Sequence, residues 1–202
     1  MAKRKRISPE LKPAASEHAE TWNDCDGCSL CEQRRRVVLW RGEIPADVLF
    51  VGEAPGLSED TFGVPFIGEA GKLLDKLIAE ALENGWNAHT KARPRYAITN
   101  VVACIPKAEE GGVRPPSKAE AEACRYRLHQ FVEMAGASLV VTLGKTAEKH
   151  FQPPKDTDPA IVSMLHPAAI LRAEGSDQTL KYRRSVVLLE RALSTVARRF
   201  KR

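Results

Sequence analysis

The chain has 202 residues, 43% of them hydrophobic, which suits a globular domain that folds without disulfides. Its 31 basic residues exceed its 26 acidic ones, and the formal charge of +5 permits an anionic partner without requiring one. No apolar run reaches the roughly 18 residues of a membrane span, and the start MAKRKRISPE lacks the apolar segment of a secretion signal. We therefore expect a cytoplasmic protein without disulfides.

Apolar runs and amphipathic stretches alternate along the chain. Residues 1–20 are polar and are predicted to form a flexible tail, followed by one domain over residues 21–202. Strands are predicted at residues 37–40, 47–52, 96–104 and 138–144, with a last one within AIVSMLHP at 160–167. Helices are predicted at residues 70–82, 117–135 and 181–199, the second opened by the capping box SKAE. This alternation favours a parallel sheet covered by helices on both faces.

Three loops that follow predicted strands carry unusual chemistry. The first, GEAPGLSEDTFGVPF at residues 52–66, contains three glycines, two prolines and three carboxylates. The second surrounds Asn100, and the third is LHPAAILR at residues 165–172. Each loop alone has a structural alternative as a turn, a satisfied buried amide or a strand end. Because ligands of parallel sheets bind beyond the carboxyl ends of the strands, the three together indicate an active site.

The cysteines form a second group. Cys25, Cys28 and Cys31 stand in the run CDGCSLC, whereas Cys104 and Cys124 are 20 positions apart. One close pair with two distant single thiolates suits an iron–sulfur cluster better than a zinc finger, which uses two close pairs. Free buried cysteines are the alternative, although they do not account for the C-x-x-C spacing.

Three motifs follow one another along the chain: GEAPGLSED…G.PF.G.AG.LLD, ITNVVACIPK…RPPS..E…C and HPAAILR. In these motifs the chain resembles the family-four uracil-DNA glycosylases, the iron–sulfur-bearing branch of the uracil-DNA glycosylase superfamily. The resemblance runs over about residues 25–172 and implies a three-layer α/β/α fold around a central, mainly parallel four-stranded sheet. It also implies hydrolysis of the N-glycosidic bond of deoxyuridine in DNA, which leaves an abasic site for base excision repair.

The resemblance assigns roles to the loop residues. Such an enzyme takes the base out of the stack and stabilises an oxocarbenium-like sugar and a departing uracil anion. His166 would donate a hydrogen bond to uracil O2, and Glu53 would orient water or stabilise the sugar cation. Asn100 would read O4 and N3–H, Phe66 would stack on the ring, and the Ala54 amide would touch uracil or water.

A side chain beside uracil C5 would exclude the methyl group of thymine, and the resemblance gives this role to Glu59. The alternative is that Glu59 and Asp60 only cap the next turn. Contacts with single- or double-stranded DNA, made by a monomer, are expected from four residues: Arg114, Ala169, Leu171 and Arg172. The two apolar ones are candidates for filling the gap that a flipped base leaves.

A competing hypothesis is an iron–sulfur DNA-binding module of the same fold with weak or lost catalysis. The joint presence of Glu53, Asn100 and His166 argues against it, because binding alone has no need for all three. A nucleotide-binding regulator would need a G-x-G-x-x-G motif or a P-loop, and the sequence contains neither.

The resemblance also implies the ligands of a [4Fe–4S] cluster: Cys25, Cys28, Cys104 and Cys124. Cys31 is left out because the family usually has another residue at that position. We expect protein purified under nitrogen to be brown, and a serine at any one of the four positions to bleach it. Cys31→Ser should keep the colour, as measured by visible absorbance and iron content. Zinc in a colourless protein, or bleaching by Cys31→Ser, would contradict this assignment.

Overall fold

The computed structural model describes residues 12–200, which form one sheet with helices packed around it. The strands are β1 Trp40–Gly42, β2 Val48–Gly52, β3 Tyr96–Asn100, β4 Leu139–Leu143 and β5 Ala160–Met164. The α-helices are α1 Lys12–Trp22, α2 Leu57–Phe62, α3 Glu69–Gly85, α4 Lys118–Ala123, α5 Arg125–Ala135, α6 Lys145–His150, α7 Pro167–Leu171 and α8 Gly175–Ala197.

The strands lie in the order β1-β3-β2-β4-β5, and all neighbours are parallel except β1, which pairs antiparallel with β3. The predicted mainly parallel sheet is confirmed, although it has five strands rather than four. The fifth is β1 at the edge, and it begins later than the predicted strand at residues 37–40. Residues 37–39 are buried, but the Val38 amide donates to Ala103 O at 2.7 Å instead of joining the ladder.

Two apolar clusters cover the two faces of the sheet and confirm the three-layer arrangement. One joins the sheet to α1, α5 and α6, and the other joins it to α3, α7 and α8. The predicted periodicity of α3 is reflected in its buried residues, which are Gly71, Leu74, Leu77, Ile78, Ala81 and Gly85. Burying such a stripe is what stabilises an amphipathic helix in a domain of this kind.

Three element boundaries differ from the sequence-based expectation. β3 ends at Asn100 instead of residue 104, because the carbonyls of Asn100 and Val101 accept hydrogen bonds from the buried Arg127. The capping box of Ser117 is confirmed, but the helix that it opens breaks at Cys124, which lines a cavity with other cysteines. The last helix begins at Gly175, six residues before the expected start.

The predicted tail at residues 1–20 overlaps helix α1. Residues 1–11 lie outside the described part of the chain, but the remainder belongs to α1. Ala15 and His18 of this helix are each 6% exposed, and His18 Nε2 lies 3.3 Å from Arg127 O. Few apolar residues mark this helix in the sequence, so its packing against α5 was not apparent from the sequence. None of the helices within residues 12–200 has the length and apolar character of a membrane span.

The Arg114–Glu120 ion pair gives the fold a pH-dependent contribution. Two hydrogen bonds from Arg114, at 2.9 and 2.7 Å, lower the pKa of Glu120 to about 2 from its ordinary 4.5. Because the folded-state pKa is depressed, the pair stabilises the fold above pH 4.5 and loses this effect as the pH falls toward 2.

We expect Glu120→Gln to lower the free energy of unfolding by about 1 kcal/mol at about pH 6, since the pair is partly screened by solvent. The difference from wild type should shrink below pH 4.5, the ordinary pKa of Glu120. Urea unfolding followed by circular dichroism at several pH values measures it. Glu122→Gln, which removes an exposed pair with Arg125, is the control and should have a smaller effect. A difference that does not vary with pH would contradict the assignment.

Candidate active site and cysteine cavity

A pocket of about 470 Å³ opens beyond the carboxyl ends of the parallel strands. Its wall comes from the segment after β2, from Asn100 at the end of β3 and from the segment after β5, with residues 113–115 on one side. The three loops singled out in the sequence therefore meet. The volume lies within the range of small-molecule sites, roughly 300–1,000 Å³.

Asn100 presents an unused hydrogen-bond acceptor in this pocket. The residue is 1% exposed, and its Oδ1 has no hydrogen-bond partner among the described residues. Asn100 pairs with Gly52 across β2 and β3, and a Cβ on Gly52 would lie 2.4 Å from this oxygen. An unpartnered buried acceptor costs about 1–3 kcal/mol, so a ligand that donates an N–H here would recover that energy.

The rings of Phe66 and His166 stand close together in the pocket wall, with centroids 5.7 Å apart and planes inclined by 33°. Phe66 has a φ of 55°, a left-handed conformation that costs a bulky residue about 1–3 kcal/mol. Arg41 of β1 holds the strained turn, because its Nε donates to Pro65 O at 2.9 Å and its Nη2 to Phe66 O at 3.2 Å. The backbone that carries the Phe66 ring is thus tied to β1.

His166 is arranged as a neutral hydrogen-bond donor. Its Nδ1 accepts the Ala168 amide at 3.2 Å, which assigns the proton of the neutral imidazole to Nε2. Burial lowers the pKa of His166, an effect that the Glu53 carboxylate opposes and the Arg172 guanidinium reinforces. Burial therefore favours the neutral ring, which has an Nε2–H to donate to a ligand.

The carboxylate of Glu59 binds backbone amides of the pocket loop. Its Oε2 accepts the Gly56 amide at 3.1 Å, and its Oε1 accepts the amides of Ile67 and Gly68, both at 2.9 Å. The capping alternative is therefore observed for this residue. Glu59 also lines the pocket, so its exclusion of a methyl group at uracil C5 stays a prediction.

Glu53 and Ala54 directly follow β2 and are half-buried in the pocket wall. Glu53 O accepts the Val102 amide at 3.2 Å, which ties this part of the loop to the segment after β3. Because the Glu53 charge acts on His166, the carboxylate and the imidazole belong to one electrostatic group.

A second cavity lies beside the end of β3. Four cysteines line it together with Arg34 and Arg127: Cys25, Cys28, Cys104 and Cys124. Cys31 is not among the lining residues. Burial raises the pKa of the Cys104 thiol to about 12, and burial also raises the pKa of the Cys28 thiol.

No group of three or more His, Cys, Asp or Glu side chains within residues 12–200 is arranged to hold a single metal ion. A single zinc ion needs its sulfur ligands at about 2.3 Å from one centre. A four-iron cluster is itself several atoms wide, so its thiolates surround a larger volume. Four thiols around a common cavity are therefore compatible with a cluster.

Comparison with known protein families agrees with the arrangement of the pocket. The model of the uracil DNA glycosylase superfamily matches residues 39–188, which contain all the pocket segments. The chain belongs to the uracil-DNA glycosylase superfamily. This match confirms the family predicted from the three sequence motifs and the fold class that goes with it.

Several relatives within the superfamily are type-4 uracil-DNA glycosylases. The one from Sulfurisphaera tokodaii is 37% identical over 126 residues, which are 62% of this chain and 52% of the relative. The one from Saccharolobus solfataricus is 36% identical over 127 residues, 63% of this chain and 54% of the relative. The one from Thermotoga maritima is 34% identical over 142 residues, 70% and 66% respectively. The chain thus spans about half the length of the first two relatives.

Of the four residues expected to contact DNA, two line the pocket and two lie outside its wall. Arg114 and Arg172 line the pocket, but Arg114 is already paired with Glu120 at 2.7 Å. Ala169 and Leu171 lie on α7 outside the pocket wall. Leu171 is 43% exposed, as a side chain that fills a gap in a duplex would need to be, and its role stays a prediction.

Sequence reasoning missed two charged residues that hold the site together. Arg41 supports the strained Phe66 turn, and Arg127 binds the end of β3. Arg127 had a signal in the sequence, because it stands on the same face of α5 as the apolar Leu128 and Phe131. Arg41 had none, since its partners lie more than twenty positions away.

Gly52 is required by the close approach of strand and loop. A Cβ there would lie 2.4 Å from both Asn100 Oδ1 and Phe66 Cζ, distances that force neighbouring atoms to move. We expect Gly52→Ala to lower the free energy of unfolding by about 1–3 kcal/mol, as overpacking does.

Gly68→Ala is the matched control for Gly52→Ala, because its Cβ would meet Glu59 Oε1 at an ordinary 3.4 Å. Urea unfolding of the two variants provides the comparison. Equal stabilities would mean that the contact at Gly52 relaxes freely and does not constrain the pocket.

Proposed function

We propose that this protein is a uracil-DNA glycosylase that hydrolyses the N-glycosidic bond of deoxyuridine in DNA. The observation that carries the proposal is the buried, unpartnered Oδ1 of Asn100 in a pocket with the rings of Phe66 and His166. Uracil is a planar base with an N–H next to two carbonyls, which matches such a set. The names of the type-4 relatives support the same activity, although the aligned part covers only about half of the first two.

Uracil recognition would use both atoms of the Asn100 amide. Its Oδ1 would accept the N3–H of uracil, and its Nδ2 would donate to O4. Cytosine has a ring nitrogen acceptor and an amino group at these positions, so both hydrogen bonds would be lost. Phe66 would stack on the flipped ring, an interaction of about 1–3 kcal/mol per base.

Departure of the base would be assisted by His166. The bond between C1′ and N1 breaks with its electron pair remaining on uracil, and the negative charge spreads to O2. A donor at Nε2 stabilises this charge in the transition state more than in the ground state, which is how an oxyanion hole works. The neutral form of His166, favoured by burial, supplies this donor at neutral pH.

The sugar left behind resembles an oxocarbenium ion, and Glu53 would stabilise it. Its carboxylate belongs to the same electrostatic group as His166 and lines the pocket. Water adds to C1′ and its extra proton passes to solvent, while the uracil anion takes up a proton. A cation-like sugar accepts a weak nucleophile, so Glu53 needs only to orient the water.

A [4Fe–4S] cluster would be held by Cys25, Cys28, Cys104 and Cys124, whose thiols surround one cavity. When bound, the cluster would supply a thiolate-ligated cross-link between the N-terminal segment, the end of β3 and the α4–α5 break. We assign it no redox step in the hydrolysis. The proposal also comprises a monomer that acts on single- or double-stranded DNA in the cytoplasm.

A single-uracil oligonucleotide tests the proposal. Single-turnover reactions followed by alkaline cleavage should detect an abasic site with uracil and none with thymine. We expect Asn100→Asp to slow uracil release by about a hundredfold or more, since a carboxylate cannot donate to O4 and repels the leaving anion. Glu53→Ala should slow the chemical step by roughly 10²–10³-fold and leave DNA binding nearly intact.

Asn87→Asp is the matched control, because this asparagine is exposed at the end of α3 and lies outside the pocket. It should release uracil at the wild-type rate. If the wild-type protein binds the oligonucleotide and leaves uracil in place, the glycosylase proposal is wrong and the DNA-binding module is supported. If Asn100→Asp keeps near wild-type activity, Asn100 is not the residue that reads uracil.

A further inference from the structure

Arg127 is a buried cation whose hydrogen-bond partners are all neutral. The residue is 1% exposed. Its Nη1 donates to Thr99 Oγ1 at 2.9 Å, and its Nη2 donates to the carbonyls of Asn100 and Val101 at 2.6 and 2.8 Å. Its Nε has no partner, and none of the ion pairs found within residues 12–200 includes this side chain.

A buried charge without a counter-charge is strongly unfavourable, because desolvation of an ion costs several kcal/mol even after relaxation. Backbone carbonyls and a hydroxyl offset part of this cost through their dipoles. They do not supply a negative charge. The position of Arg127 therefore calls for an anion next to it.

The cysteine cavity is the place for that anion, because the Arg127 side chain lines it together with four cysteines. Arg34, which is half-buried, lines the same cavity. Without an anion in the cavity, the buried guanidinium of Arg127 has no counter-charge among the ion pairs found within residues 12–200. Four thiolates around an iron–sulfur core carry a net negative charge that the two arginines would neutralise.

We propose that Arg127 and Arg34 are the cationic partners of a four-thiolate iron–sulfur cluster in this cavity, and that Arg127 links the cluster to the position of Asn100. The inference rests on the cluster of the proposed function. It adds Arg127 and Arg34, which are not cluster ligands. Residues around a metal site can orient its ligands and tune it through their charge and hydrogen bonds.

The link to Asn100 follows from the position of Arg127. Arg127 lines the cavity, and its Nη2 donates to the backbone carbonyl of Asn100, the residue whose side chain has the free acceptor. With the cluster bound, its negative charge would neutralise Arg127 in the position that the side chain occupies here. Without the cluster, the buried charge favours movement toward water, which would displace the end of β3.

The test compares Arg127→Met, Arg127→Lys and Arg34→Met with the control Arg125→Met in the iron-loaded, full-length protein. Arg125 lies on the same helix, and its charge is already balanced by Glu122. The measurements are iron per chain, the rate of iron release to a chelator, and KM and kcat on a single-uracil oligonucleotide.

We expect Arg127→Met and Arg34→Met to release iron roughly 10–100-fold faster than wild type. Arg125→Met should release it at about the wild-type rate. Arg127→Lys keeps the charge, so it should retain iron nearly as well as wild type. A single ammonium lacks the planar fork that reaches three acceptors, so this variant should show a raised KM with a smaller change in kcat.

Wild-type iron release in both Arg127→Met and Arg34→Met would overturn the proposal. If Arg127→Met does not fold, the proposal is still tested by iron release from Arg34→Met, since Arg34 is only half-buried, and by the KM of Arg127→Lys. A wild-type protein that holds no iron would also overturn it, whereas the glycosylase proposal depends separately on uracil release. An unchanged KM in Arg127→Lys would refute the link to Asn100.

Discussion

The parallel pairing of β2 with β3 is the constraint on which both sites depend, because it ends with Gly52 beside Asn100. The missing side chain of Gly52 leaves room for the Asn100 amide and the Phe66 ring. Just beyond, the Val101 amide donates to Gly52 O at 2.9 Å, so the two strands leave the sheet together. Four residues after Asn100 the chain reaches Cys104 in the second cavity. A shift in this short segment therefore moves the pocket and the cysteines at once.

Charged side chains hold the irregular backbone around the pocket. Arg127 and Arg41 bind carbonyls, Glu59 binds three amides, and the buried Asp60 accepts the Arg35 amide at 2.8 Å. Loops lack the regular partners of helices and sheets, so their polar groups must find others. Charge-assisted hydrogen bonds are shorter and stronger than neutral ones, which lets these loops be well defined without regular secondary structure.

The order of the elements was predictable from the sequence, since apolar period and capping residues act locally. The face of α3, the capping box at Ser117 and the strands that become β2 and β4 appear as expected. The end of β3 and the helix break at Cys124 were not predictable. They depend on contacts between residues far apart in sequence, such as Arg127 with the Asn100 carbonyl, and a local pattern does not contain them.

The sequence by itself determined the family, the parallel sheet and the three loops that form the pocket. Motif order and hydrophobic periodicity are properties of the sequence and need no three-dimensional information. Only the tertiary structure decided what each polar group does there. Glu59 was ambiguous in sequence and binds loop amides. Arg127 was overlooked, and it lines the cysteine cavity and donates to the carbonyl of Asn100. The reason is physical: the sequence does not show whether a charged side chain is in water or buried. Only a buried charge must find polar or charged partners, because burying it without them is costly.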